Sequence, residues 1–472
     1  MSRKVSSKIN RRDFLRMLSI ASAGGVLAAC APAATQAPAA APTSAPQTAA
    51  ATNTSAPVAA APTNTSAPAV VPTTAAPSAA QITITYGRHD DVAGGAQSVK
   101  EFEALYPNIK VEQQMIGDFA NKEPAMAAAG SLPDVFRSWE AMCLDLARAQ
   151  QIVVIQPYVD ADPNFKPDDF YQNWWNWPVI DGKRYGVPDV IAPHVTMYNV
   201  DLFDKKTVDY PNKDSFTWDD YVQKALKISD VPNKVWGSET IPVGWTYWSL
   251  KLIRQNGGDF FTPDFTKCII DSPEAIEAIQ FWADQLLGGK VMPSPSQIVD
   301  VGGAGDEATL MAAGKIGMMH DGVWNVNTLI SAKIKFNLVP EPSKKIRDTI
   351  THGAFNTIPT TTKDKDSAWK WLDYVCSTKG IYNYGLVGKF PGGRKSSNVI
   401  TPHPWVVDLP YTVDWDVVPQ ALEYGHVLPG PANEGQALKI IGDALQKIYA
   451  GDGKAQDLFP TIAPQVTAVL TS

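Results

Sequence analysis

The six histidines, His89, His194, His320, His352, His403 and His426, stand apart from one another. None has the HxH or HExxH spacing that places two imidazoles on one zinc ion. Acids are plentiful, but no two stand in a pattern that marks the carboxylate pair of a glycoside hydrolase. Nucleophile elbows of the GxS type are missing, and GGAGD at 302–306 is a lone glycine run. Cys143, Cys268 and Cys376 lack CxxC spacing and read as buried thiols rather than a disulfide framework. What remains is aromatic surface beside polar turns. NWWNWPVIDGKRY at 173–185 sets Trp174, Trp175 and Trp177 within four positions, which fits neither helical spacing nor strand alternation. These residue types suit non-covalent capture, with no cofactor, metal or covalent step expected.

The elements that must position such residues have their own signals. ITITY at 82–86 alternates as a strand does, 96–105 carries Val99, Phe102 and Leu105 on one helical face, and IKVEQQMI at 109–116 reads as the next strand. A strand, a helix and a strand in that order imply a parallel sheet. A small-residue helix at 124–130 leads into a third short strand within SLPDVFRSW. Thr217 and the Ser272–Pro273 pair mark two later helix starts. Ser367 is expected to open another, with Ala368, Trp371, Leu372 and Val375 inward, and two helices close the chain at about 435–450 and 456–470. The fold class is α/β.

The first thirty residues read as an export signal. Lys4, Lys8, Arg11, Arg12 and Arg16 precede an apolar run at 17–29, which is shorter than the ~20 residues a bilayer span needs. NRRDFLR has the twin-arginine pattern, and LAAC at 27–30 resembles a lipobox whose Cys30 would be lipidated. Residues 31–80 hold no Asp, Glu, Lys or Arg and are almost entirely Ala, Pro, Thr and Ser, so they offer no core and read as an extended tether. The folded part, from 81 on, is long enough for two lobes. The chain carries a formal charge of −7 although its first thirty residues hold six Lys/Arg against one Asp, so the remainder is near −12. That acidity argues against nucleic acid and against electrostatic binding to an anionic membrane.

Several segments, in order, resemble the extracellular solute-binding proteins of ABC importers, in the carbohydrate-binding branch related to maltodextrin-binding protein. They are SLPDVF at 131–136, DGKRYGVPDVIAPHVTMYNVDLF at 181–203, TWDDY at 217–221, MAAGKIGMMHDGVWNVN at 311–327 and FNTIPTTTKDKDSAWKWLDYV at 355–375. The resemblance implies a type II periplasmic-binding-protein-like fold, with two lobes, a hinge and a ligand cleft between them. One lobe would hold 81–190 plus 352–394, and the other 191–351 plus 395–472. It further implies capture of a mono- or oligosaccharide by a monomer and delivery to membrane permease subunits.

A sugar offers flat C–H faces to aromatics and hydroxyl edges to carboxylates, amides and Arg. By the resemblance, Trp324 and Tyr247 stack on sugar, Trp245 flanks Tyr247, and Trp248 turns inward. Trp139 and Glu140, after the third strand, are further candidates. So are His89 and Asp90 after the first strand, Asp189 beside the first crossing, and Arg394 and Glu434 in loops. The family's stacking tryptophan near the last crossing is replaced by Leu438, which puts maltodextrin itself in doubt. Trp174, Trp175 and Trp177 either pack a helix on the sheet, against Tyr185 and Pro188, or lend a plate to the cleft rim. A receptor for polyamines, amino acids or peptides is the alternative function, and an anchored glycoside hydrolase a third.

Overall fold

A computed structural model describes residues 80–471, apart from 89–92, 118 and 302–306. The segments expected to serve as export signal and tether, with Cys30, and the candidates His89 and Asp90 lie outside the described residues. The strands are β1 (Ile82–Arg88), β2 (Ile109–Met115), β3 (Val135–Trp139), β4 (Val179–Ile180), β5 (Lys183–Arg184), β6 (Val187–Asn199), β7 (Trp236–Ser238), β8 (Ile316–Gly322), β9 (Phe336–Val339), β10 (Ile350–Thr357) and β11 (His426–Val427). The helices that matter here are α1 (Ala93–Leu105), α2 (Glu140–Arg148), α3 (Trp218–Ile228), α4 (Thr246–Gln255), α5 (Pro273–Gly288), α6 (Lys365–Val375), α7 (Thr378–Gly388) and α8 (Glu434–Tyr449).

Nine strands form one sheet in the order β2-β1-β3-β10-β6-β8-β7, with β11 beside β10 and β9 beside β6. The outer pairs are parallel: β1 with β2 and β3, and β7 with β8. The central strands β10 and β6 run antiparallel to one another, to β3 and to β8. Strand β6 joins the two halves. Its residues Val187–Pro193 pair with β10, and His194–Tyr198 pair with β8. All thirteen of its residues are buried, as a strand covered on both faces requires.

Successive residues of a strand enter opposite cores. In β3, Val135 joins the cluster of Tyr86, Phe102 and Trp371, while Phe136 joins that of Cys143, Trp174 and Phe355. In β8, Met318 packs with Trp218, Trp248 and Trp282, and Met319 packs with Met197, Phe336 and Trp405. Each half is therefore a sheet sandwiched between helices.

Most local signals give the expected elements, and the departures have physical causes. Thr217 accepts from the Asp220 amide and Ser272 from the Ala275 amide, so both cap as expected. Helix α6 begins earlier than expected: Asp364 is its cap, and Ser367 is the residue whose amide that cap accepts. Leu105 is 65% exposed rather than inward, because the chain leaves the helix there and Tyr106 packs on Phe102 instead.

The three tryptophans of 173–185 pack. Trp174 is buried, donates to Thr351 Oγ1 at 2.9 Å and lies 5.3 Å from the Phe355 ring. Trp175 stacks on Phe170 at 5.0 Å beneath the Arg184 guanidinium at 3.5 Å. Trp177 lies flat on Phe355 at 5.3 Å and donates to Leu428 O at 2.8 Å. Tyr185 borders the same cluster. The main ring partner is Phe355, which has no local sequence signal.

Candidate functional site

Three segments far apart in sequence converge between the two halves of the sheet. They bring Trp139, Glu140 and Asp145, then Trp245, Thr246 and Tyr247, then Glu434, Leu438, Lys439 and Asp443, to one cavity of about 580 Å³. His352 and the Leu428–Pro429 segment complete the wall. Helices α2, α4 and α8 all begin at this cavity, at Glu140, Thr246 and Glu434. Loops and helix starts gathered at strand ends are where α/β folds form binding clefts.

One wall is a face of α8. Gly435, Leu438, Lys439, Gly442, Asp443 and Gln446 recur at three- and four-residue steps, as one helical face demands. The two glycines keep that wall low. A Cβ at Gly435 would meet nothing within 4 Å, and one at Gly442 would press Thr246 Oγ1 at 3.0 Å. Leu438 lines the cavity at the place where the resemblance implies a stacking tryptophan.

The aromatic wall rests on a cage of rings. His352 lies 5.2 Å from Trp245 and 5.7 Å from Trp324, and His194 lies 5.4 Å and 5.3 Å from the same two indoles. The two imidazoles are 5.2 Å apart. Burial, with Lys251, His352 and His320 adding like charge, holds the His194 pKa well below its ordinary value, so His194 is a neutral ring. Trp324 is thus a neighbour of the cavity's His352 rather than one of the residues lining it. Its indole lies over Gly322, where a Cβ would overlap the ring. Gly322 has ordinary extended backbone, so space alone requires glycine. Gly322→Ala is expected to cost about 1–3 kcal/mol by overpacking and to displace Trp324. Denaturant unfolding checks the first effect, and the indole emission spectrum checks the second.

Polar groups are fixed as firmly. Glu140 is 4% exposed; its Oε1 accepts from the Gly353 amide at 2.8 Å and lies 3.6 Å from His352 Nδ1. Tyr247 donates to Pro429 O at 3.1 Å. Asp145 pairs with Arg148 at 3.2 Å, and Arg148 also donates to Gly430 O. Glu434 differs. It is 7% exposed, and its Oε1 has no hydrogen-bond partner among the described residues. Burial, then the Asp145 charge, push its pKa up to about 8, against a smaller opposing pull from Arg148.

The remaining expected site residues lie elsewhere. Asp189 is 4% exposed and gives its carboxylate to Arg137 Nε at 2.6 Å. Arg394 lies over Phe170 at 4.1 Å and donates from Nε to Cys376 O at 2.7 Å. Neither lines the cavity. Trp248 is 2% exposed, in the core beside Trp282 and His320. Sequence reasoning passed over His352 and Asp145. A lone histidine in a strand has no signature, but the glycine-marked face of α8 was readable. Among the described residues no group of three or more His, Cys, Asp or Glu could hold a metal ion. No described helix is long and apolar enough to cross a membrane.

Known proteins share this architecture. The ABC substrate-binding protein Lmo0181 from Listeria monocytogenes, solved in complex with cycloalternan, superposes with a TM-score of 0.74 at 25% identity, covering 83% of this chain and 99% of that one. A solute-binding protein from Thermotoga lettingae, solved with α-D-tagatose, gives 0.70 at 21% identity over 83% of this chain and 100% of that one. The maltotriose-binding protein of Pyrococcus abyssi is 22% identical over 296 residues, 60% of this chain and 59% of that protein. The profile of the bacterial extracellular solute-binding proteins matches residues 87–381, well over half of the sequence, and the chain belongs to that family.

Proposed function

We propose that this protein is the sugar-capturing subunit of an ABC importer. It takes a mono- or oligosaccharide into the cavity between its lobes and hands it to membrane permease subunits, without covalent chemistry. The observation that carries this is the cavity itself. Flat aromatics, Trp139, Trp245 and Tyr247, meet buried carboxyls, Glu140 and Glu434, in a space of about 580 Å³. That pairing suits the two kinds of surface a sugar has. The sugar-bound relative from Listeria supports it. In this reading the lobes are 81–190 plus 352–394 and 191–351 plus 395–472. Closure of the lobes on the solute is the signal the permease reads. The twin-arginine segment exports the chain, and lipid on Cys30 anchors it through the 31–80 tether.

Micromolar capture needs about −8 kcal/mol, within reach of two or three stacked rings and a few charge-assisted hydrogen bonds. The test is tryptophan fluorescence titrated with mono- and oligosaccharides, spermidine and short peptides. A saturable change with a sugar class is the expected result; a response to spermidine or peptides alone overturns it. Trp245→Ala is expected to weaken sugar binding at least tenfold, about 1.4 kcal/mol, as isothermal titration calorimetry would read. Unchanged affinity would remove Trp245 from the binding surface.

A further inference from the structure

Four carboxyl groups line the cavity, Glu140, Asp145, Glu434 and Asp443, against one lysine, Lys439. Three of them already have partners. Glu140 is held by the Gly353 amide and His352, Asp145 by Arg148, and Asp443 by Lys439 at 2.7 Å. Glu434 is the exception. It is more than nine-tenths buried, its Oε1 is unpartnered among the described residues, and it lines the same cavity as the aromatic rings. A carboxyl buried without a partner costs free energy that a solute can recover by supplying the missing group.

We infer that the solute is a saccharide carrying a protonated amine, and that Glu434 is the residue that selects it. The inference rests on the sugar-receptor reading and deepens it. An ammonium group gains from a carboxylate and from the faces of Trp245, Trp139 and Tyr247 together, in a partly desolvated space where both attractions are strengthened. Glu140 and Asp145, on the facing helix, act in the same direction. The partial positive ends of α2 and α8 do not meet the solute bare, because an acid stands at the first position of each helix. The raised pKa of Glu434, caused by burial and by Asp145, is the strain that a cation would relieve. Lys439 does not supply that cation, since its ammonium is exposed and paired with Asp443. An anionic sugar would meet the four carboxyls of the lining and is disfavoured.

The test uses the full chain and Glu434→Gln, titrated calorimetrically with glucosamine oligosaccharides, their N-acetylated counterparts, neutral glucose oligosaccharides and spermidine. Acetylation removes the charge while keeping the ring. The expected result is that an amine-bearing sugar binds at least tenfold tighter than its acetylated counterpart, and that Glu434→Gln abolishes the difference, weakening the amine-bearing sugar at least tenfold more than its acetylated counterpart. If neutral sugars bind as tightly as amines and Glu434→Gln changes nothing, the inference falls and the sugar-receptor reading survives. If spermidine binds and no sugar does, both fall. No saturable binding of any amine-bearing sugar, with the fold shown intact by near-ultraviolet circular dichroism, also overturns it. Glu434→Gln should itself fold well. A carboxyl whose pKa is raised from 4.5 to about 8 loses folded-state stability as pH climbs through that window, and glutamine removes the loss.

Discussion

Lys251→Met is expected to lower the unfolding free energy by about 3–5 kcal/mol at pH 8, the cost of leaving one member of a buried ion pair alone. Lys251 Nζ lies 2.8 Å from Glu341 Oε1, and both side chains are fully buried. The ammonium also donates to His320 O at 3.2 Å. Gln255 donates to the other Glu341 oxygen at 3.0 Å and accepts from Trp218 Nε1 at 2.7 Å. Methionine matches the stem of lysine but supplies neither charge nor donor. The loss should depend on pH. Burial already raises the Glu341 pKa and Lys251 lowers it, so removing Lys251 raises it further. A carboxyl with a raised folded pKa contributes less stability as pH climbs from its unfolded value toward the folded one. The variant should therefore be nearer to wild type at pH 5 than at pH 8. Guanidinium unfolding at the two pH values reads this directly. The double variant Lys251→Met, Glu341→Leu should recover much of the loss. A single variant within about 0.5 kcal/mol of wild type at pH 8 would mean that the pair contributes only what a surface pair does.

That ion pair bears on the cavity as well as on the core. Glu341 Oε1 lies 3.9 Å from His194 Nδ1, and His194 supports Trp245 and Trp324. The ring cage thus rests on a charged floor that has no direct contact with the cavity. A loosened floor should first appear as weaker sugar binding in the Lys251 variant, at temperatures where it is still folded. Rigid support beneath a binding surface reduces the ordering cost of binding.

How much of this was legible follows from the range over which each interaction acts. Strands β1, β2 and β3 and the caps at Thr217 and Ser272 are set by neighbours within four residues, so local pattern found them. Leu105 kept the helical stripe but not the burial, because burial depends on where the chain goes next. Lys251 was readable in principle. Trp248, Lys251, Leu252 and Gln255 fall on one stripe of α4, and a lysine on a core stripe must have a buried counter-charge. Nothing local says that the counter-charge is Glu341. The site divides the same way. The resemblance pointed to Trp139, Glu140, Trp245, Tyr247 and Glu434, which the fold brings to one cavity. It could not show that Asp189 and Arg394 are occupied by their own neighbours, since that depends on a side chain 52 residues away and a backbone carbonyl 18 residues away.

Asp189 supplies the second large effect. Asp189→Ala is expected to cost about 3–5 kcal/mol of stability, because it removes one member of a buried ion pair. The two meet at 2.6 Å with side chains 6% and 5% exposed. Asp189 Oδ1 also accepts from its neighbouring amide, Val190, at 2.6 Å, and Oδ2 from Asn356 Nδ2 at 3.3 Å. Through these bonds one carboxylate ties β6 to β3 and β10, just where β6 sets out toward the second half of the sheet. Asp189→Asn, which keeps the shape and one acceptor, should lose less. If the carboxylate is structural, sugar affinity of the folded variant stays within about twofold, or 0.4 kcal/mol. If Asp189 instead turns to the solute when the lobes close, the result reverses: stability changes little and affinity falls tenfold or more. Unfolding curves and calorimetric titrations on the same preparation separate the two. Because Arg137 and Asp189 are both almost fully enclosed, separating them to reach a solute would break a buried charge-assisted pair, and the structural outcome is the expected one.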